Sequence, residues 1–320
     1  MLSSNSNFTS RAFIEGLDGS DPLASFRNEF LITDEDTCYL DGNSLGRLPL
    51  ATIGVVNDFL HNEWGSQMVS GWNSWIDEAQ STGDLIGQAT LGAEPGQMLA
   101  VDTTSVNLYQ LCHAAITARP GRHKVISDTA NFPTDRYILE GLCQELGCEL
   151  VLINDEDGEE YVTPEMLAPY LDDDVALVTF SVIQYRSGAL HDIARISQMT
   201  HDTGALCVWD ASHAVGVVPM QLDRDNAGLA IGCTYKYGNS GPGSPGWLYV
   251  SKSLQQELHV PIQGWFAQDD QFAMAQGFDR SPTIRGFQIA SPSIIGLRCV
   301  QTSFAMIERA GLQAIAQKAA

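Results

Sequence analysis

What most restricts the folding of this chain is a series of short, mostly apolar runs, each closed by a polar residue and many followed by a stretch of helical periodicity. Met98–Val101, Val125–Ser127, Leu150–Ile153, Ala176–Val182, Ala205–Asp210, Leu229–Cys233 and Trp247–Val250 are too short for core helices. They also lack the alternation of a half-exposed strand, so they read as strands buried on both faces. Helical segments 106–118, 136–146, 164–171 and 192–204 lie between most of them. The alternation predicts an α/β fold, a mainly parallel sheet sandwiched by helices, whose ligands gather at the carboxyl ends of the strands.

Two of these runs bring chemistry to that edge. One ends in Asp210, and the other ends just before Thr234-Tyr235-Lys236-Tyr237 and a glycine-rich loop. The lysines of the chain are Lys124, Lys236, Lys252 and Lys318, and only Lys236 stands between a strand and such a loop. Partial desolvation favours a neutral, nucleophilic amine, which suits a Schiff-base lysine; the plainer reading is a surface lysine at a strand end. Asp210 favours the first. Pyridoxal phosphate is an electron sink only while its ring nitrogen is protonated, and a carboxylate paired with that nitrogen keeps it so. The plainer reading of Asp210 is a solvated turn cap. His213 would buttress that acid or be an ordinary loop residue.

Further candidates follow other strands. Thr104 and Ser105 open a helical run, where free backbone N–H groups and the positive end of the helix dipole attract a phosphate; simple N-capping is the alternative. Phe132-Pro133-Thr134-Asp135 follows Val125–Ser127, and an aromatic there can stack on a flat ring. Ser181 reaches the same edge as Asp210. Trp64, Trp72 and Trp75 would line an aromatic pocket or, more commonly, act as core or interface anchors. The sequence Gly241-Pro242-Gly243-Ser244-Pro245-Gly246 matches GxGxxG literally. It precedes a strand instead of opening a helix, which argues against a nicotinamide enzyme.

Towards the ends, residues 1–20 read as loose, Asp21-Pro22 as the opening of a helix to about Phe30, and Thr37–Leu40 as a short strand. Asp41–Gly46 reads as a turn-rich hinge, 51–64 as a helix, and 303–318 as another. A net charge of −22 excludes nucleic acid and anionic membrane as natural partners. The seven cysteines are scattered and form no CxxC, as in a reducing cytoplasm. No apolar run is long enough to span a bilayer, and the start lacks the features of a signal peptide.

Taken together, DGNSLG (41–46), FPTD (132–135) with Tyr137, DASH (210–213) with Ala214-Val215-Gly216, YKY (235–237) with its glycine loop, and Gly264-Trp265-Phe266 resemble the kynureninase family. The resemblance covers about residues 30 to 300. It implies the aspartate aminotransferase fold, pyridoxal phosphate as cofactor, and hydrolysis of L-kynurenine or its 3-hydroxy form to anthranilate or 3-hydroxyanthranilate plus L-alanine, in tryptophan catabolism and NAD biosynthesis. Lys236 would carry the cofactor, Asp210 would pair with its ring nitrogen, and Phe132 would stack on the ring. Thr104, Ser105 and Tyr235 would hold the phosphate, with Tyr235 also moving protons. Pro133, Thr134, Asp135, Ser181 and His213 match other cofactor-contacting positions. Trp265 and Ser291 match positions that reach the site from a neighbouring subunit, which implies a homodimer.

The same resemblance divides the chain into an N-terminal arm (1–48), a large cofactor-binding domain (49–290) and the start of a linking helix (291–320). Family members continue into a small domain that supplies an arginine for the substrate carboxylate, so the chain reads as a fragment; Arg186 and Arg285 are the arginines considered in its stead. The other readings of the sequence are a cysteine desulfurase and a catalytically silent cofactor-binding protein.

Overall fold

The computed structural model describes residues 10–154 and 161–319. Seven strands form one sheet: β1 (Met98–Ala100), β2 (Lys124–Asp128), β3 (Glu149–Ile153), β4 (Val175–Ser181), β5 (Leu206–Asp210), β6 (Leu229–Gly232) and β7 (Trp247–Val250). Their order across the sheet is β1-β7-β6-β5-β4-β2-β3. Pairing is parallel from β3 to β6, while β7 runs antiparallel to both of its neighbours. Reversing β7 leaves β1 parallel to the rest. Six strands therefore end, and one begins, at a single edge.

Strands β4 to β7 are buried along their whole length, as continuous apolar runs require. The helices Thr104–Thr117 and Pro133–Leu146 cover one face through Leu108, Leu111, Leu139 and Leu142. The helices Glu78–Ile86, Ile193–Asp202 and Ile294–Ala310 cover the other through Ile86, Ile196, Leu297 and Phe304. At roughly 25 cal/mol per Å² of apolar surface removed from water, these two faces hold the bulk of the folding free energy.

The ends of the chain depart from the sequence expectations. Residues Arg11–Ser20 form a helix capped by Ser10, although none of its residues is buried. The segment after Asp21-Pro22 makes only a 3-10 turn, Ala24–Glu29, and 37–40 pair with no strand. The helix Leu50–Asp58 passes into π turns at Phe59–Trp64, and the terminal helix is two, Ile294–Ala310 and Leu312–Ala319, broken at Gly311 with φ 79°. A glycine in the left-handed region is the usual helix stop, and 303–318 ran straight through it. Ion pairs Lys318–Asp21 and Arg309–Glu29 tie the last helices to the N-terminal arm. No described helix is long and apolar enough to cross a membrane.

Candidate active site

The loops leaving β1, β2, β4, β5 and β6 enclose a cavity of about 380 Å³, within the range of small-molecule sites. Thr104, Ser105, Phe132, Thr134, Asp135, Asp210, His213, Tyr235 and Lys236 line it, so nine positions singled out in the sequence meet in one place.

The first wall is a helix start. Thr103, not Thr104 or Ser105, is the N-cap, its hydroxyl accepting from Val106 N–H at 3.3 Å. A cap of this kind contributes about 1 kcal/mol. It also frees the next two hydroxyls and backbone N–H groups to face the cavity. Asp102 takes a left-handed backbone (φ 51°), and its carbonyl accepts from Gly246 N–H at 2.9 Å. The glycine loop is thereby pinned beside the helix, where a Cβ on Gly246 would stand 3.1 Å from Thr104 N.

Lys236 supplies the opposite wall. Its Nζ lies 2.9 Å from His213 Nε2 and 5.6 Å from the centre of the Phe132 ring. Burial, and then the lysine itself, push the His213 pKa down to about 4, so at neutral pH the imidazole is uncharged and accepts from Nζ. Asp210 is buried at the end of β5, with Oδ1 receiving Ser212 N–H at 2.7 Å. Burial, and then the neighbouring Asp210 carboxylate, hold the Asp135 pKa well above the usual carboxylate range, which favours the neutral form of Asp135 beside Asp210. Burial also raises the Tyr235 hydroxyl, which keeps it a donor.

Phe132 is aimed by the buried Asn131. Ser181 Oγ and Phe132 N–H both donate to Asn131 Oδ1 at 2.8 Å, while Asn131 Nδ2 donates to Ser127 Oγ at 3.2 Å. Tyr185 then meets the Phe132 ring edge-on at 5.2 Å. Ser181 does come level with Asp210 in the sheet, but its hydroxyl is spent on Asn131 and does not line the cavity. Pro133 is the first residue of its helix and likewise stays out of the lining.

Trp265 and Ser291 stand elsewhere on this chain. Trp265 is exposed and edge-on to Phe266. Ser291 borders a second, apolar cavity of about 560 Å³ whose walls include Phe59, Trp64, Trp72, Trp75 and Ile294. Trp75 is buried there as an anchor, while Trp64 is exposed. Arg285 bonds to Asp77 and Gln271, and Arg186 lines a recess that adjoins the lysine cavity through Asn43, Tyr185 and His213.

Sequence reasoning missed Asn43, Ser44, Tyr185 and Ser212, all of which line the lysine cavity. The first two come from Asp41–Gly46, whose role as a wall has no local signal beyond its wealth of turn formers.

The residues present fit pyridoxal phosphate. An anion cradle, an aromatic plate, a buried carboxylate and a lysine share one cavity, and the absence of a side chain at Gly246 keeps the cradle open. Comparison with known proteins agrees. Residues 100–320 match the family described as Aminotransferase class-V. The fold matches a cysteine desulfurase from Thermococcus onnurineus NA1 with TM-score 0.74 and 18% identity, covering 93% of this chain and 72% of that one. It also matches a variant of the cystine lyase C-DES with glycine covalently linked to its PLP cofactor, with TM-score 0.76 and 14% identity over 89% and 76%. Fold and site thus define a class-V aminotransferase-type protein. Kynureninase of Pseudomonas fluorescens is 38% identical over 318 residues, 97% of this chain and 72% of that protein. Kynureninase of Burkholderia pseudomallei (strain 1106a) is 35% identical over 310 residues, 94% and 72%. The chain belongs to the kynureninase family.

Proposed function

We propose that this chain is a pyridoxal-phosphate-dependent hydrolase that cleaves L-kynurenine, or its 3-hydroxy form, into the aminobenzoate and L-alanine. The observation that carries the reading is the meeting of Lys236, Asp210 and Phe132 with the helix start at Thr104 in one cavity of a kynureninase-family chain. The bound cofactor supplies an electron-withdrawing ring that stabilises negative charge at the substrate α-carbon.

The protein's own groups do the rest. Thr104, Ser105 and Tyr235 would hold the phosphate, Phe132 would pack against the ring, and Thr134 would line the cofactor's pocket. Asp210 would pair with the ring nitrogen and keep a proton there, with Asp135, its neutral form favoured, beside it. Lys236 would hold the cofactor through Nζ, and with the substrate amine in its place the same nitrogen would take the α-proton. His213, uncharged, keeps Nζ oriented. Tyr235 O–H, held protonated, donates to the β-carbon after water has added to the γ-carbonyl and the Cβ–Cγ bond has broken.

Trp265 and Ser291 lie outside their own chain's lysine cavity, and Trp64, Met68, Val69, Trp265 and Ile295 are exposed apolar residues. Both points support a homodimer in which each subunit completes the other's site. The seven cysteines are unpaired, which supports a reducing, cytoplasmic location. We assign residues 49–290 to the cofactor-binding domain, 1–48 to an N-terminal arm contributing to a small domain, and 291–320 to the start of a linking helix. A desulfurase would need a reactive thiol at the site. Cys233, the nearest candidate, is buried with its thiol pushed up by burial, and no cysteine lines the described cavity.

The test is a visible spectrum of the protein incubated with pyridoxal phosphate, followed by L-kynurenine. A band trapped by borohydride on Lys236 and a rise in aminobenzoate fluorescence are expected. A trapped band with no fluorescence would leave a cofactor-binding protein without this activity, and the hydrolase reading would fall.

A further inference from the structure

We propose that Asp41–Gly46 is a backbone brace for the catalytic lysine, with Gly46 as its positioning residue. This rests on the reading of Lys236 given above. The segment folds as a turn, Ser44 and Leu45 N–H groups donating to Asp41 O at 3.0 and 3.1 Å. At its end, Gly46 N–H donates to the carbonyl of Tyr235 at 2.8 Å, and the next residue is Lys236. A Cβ on Gly46 would stand 2.4 Å from Lys236 O, 2.7 Å from Asn239 Cα and 2.3 Å from Asn239 Oδ1. Two of those atoms are backbone and cannot swing aside.

Gly46 does not take a left-handed conformation, so what the site requires of it is space, not conformational freedom. Nor can Lys236 O retreat. It already accepts Asn239 N–H at 3.0 Å in a tight turn in which Asn239 has φ 56°. On the far side of that turn Gly238 is packed, its absent Cβ falling 2.3 Å from Thr234 O and 2.9 Å from the Phe304 ring. The lysine backbone is thus gripped between the brace and the helix Ile294–Ala310.

The brace is itself fastened from outside the cavity. Tyr39 O–H donates to Leu45 O at 2.6 Å, Arg47 lies 5.0 Å over the Tyr39 ring, and Leu31 N–H donates to Leu48 O at 2.9 Å. A shift of the Lys236 backbone carries Nζ away from its 2.9 Å contact with His213. Misplacements of about 1 Å cost reactions on the order of a hundredfold.

The experiment compares Gly46→Ala with Gly42→Ala, whose new methyl would meet nothing nearer than Tyr237 at 4.0 Å. Two quantities are read: the dissociation constant for pyridoxal phosphate, and the rate at which an amine-reactive reagent labels Lys236 in cofactor-free protein, with Lys252 as internal reference. Gly46→Ala is expected to weaken cofactor binding by about tenfold or more and to change the Lys236-to-Lys252 labelling ratio at least about threefold, while Gly42→Ala stays within about twofold on both. A folded Gly46→Ala protein that matches wild type on both readouts overturns the proposal. Should Gly46→Ala fail to fold, Tyr39→Phe decides, because it removes only a surface hydroxyl from the fastening. A smaller change in the same direction supports the brace, and none overturns it. Wild-type protein that binds no pyridoxal phosphate sinks the cofactor reading instead, and the labelling ratio still judges the brace.

Discussion

Two cavities of the molecule are built on opposite principles. The one at Lys236 is polar, and its walls come from loops after five different strands, each placed by backbone hydrogen bonds. The one at Trp72 is apolar, and its walls come from 59–75 and 291–295. Behind the apolar cavity lies a half-buried ion network. Arg298 pairs with Glu63 at 2.6 Å and Glu78 at 2.8 Å, and Trp75 Nε1 donates to Glu63 at 3.0 Å. Substitutions in the first cavity should therefore change chemistry, and those behind the second should change stability or association.

Replacing the amine breaks the comparison most sharply. Lys236→Ala is expected to lose turnover by at least about 10⁴-fold with little loss of thermal stability, checked by aminobenzoate release and by melting of the cofactor-free protein. The carboxyl pair sharpens it. Asp210→Ala should cost about 10²–10³-fold in turnover, whereas Asp135→Asn, which keeps a neutral donor where a protonated acid stood, should stay within about tenfold. Equal losses from the two would refute the placing of the proton on Asp135.

Behind the apolar cavity, Arg298→Met leaves Glu63 and Glu78 unpaired and should lower unfolding stability by about 3 kcal/mol in denaturant titration. It should leave the cofactor dissociation constant of the remaining folded protein within about threefold.

Asp128 gives an effect confined to a pH window. Burial raises its pKa from 3.8 to about 6, opposed by the hydrogen bond from Gln184. The folded protein holds this proton more tightly than the unfolded chain does, so the protonated form favours folding. That contribution is present below the unfolded value and is lost as pH rises from about 4 through 6. Asp128→Asn mimics the neutral form and should stabilise the protein above pH 6 by up to about 3 kcal/mol, flattening the stability curve in that window. An unchanged slope would show that Asp128 is ionised throughout.

The legible part of the site was the part carried by continuous apolar runs. Val208-Trp209-Asp210 and Leu229–Cys233 announce buried parallel strands, and in such a sheet the residue after each run must reach the functional edge. Ser181 shows the limit of that inference. Reaching the edge does not fix which way a hydroxyl turns, and here Asn131 takes it. Neighbouring hydroxyls defeated local reading too, because Thr103, Thr104 and Ser105 are all good caps and only the backbone at Thr103 decides which one serves. The helix Arg11–Ser20 buries nothing, so its pattern had no core to report. The role of Asp41–Gly46 was invisible because its partners, Tyr235 and Lys236, lie far along the chain and a glycine's value there is the closeness it permits.

The position of β7 also bears on how the protein is made. β1 is an edge strand whose neighbour in the sheet is β7, so throughout translation residues 98–100 have no partner until 247–250 leave the ribosome. The helix start at Thr104 and the lysine loop then come into register in the same event, as Gly246 docks on Asp102. A nascent chain halted before Trp247 would own every side chain of the lysine cavity and still have no assembled place for a phosphate.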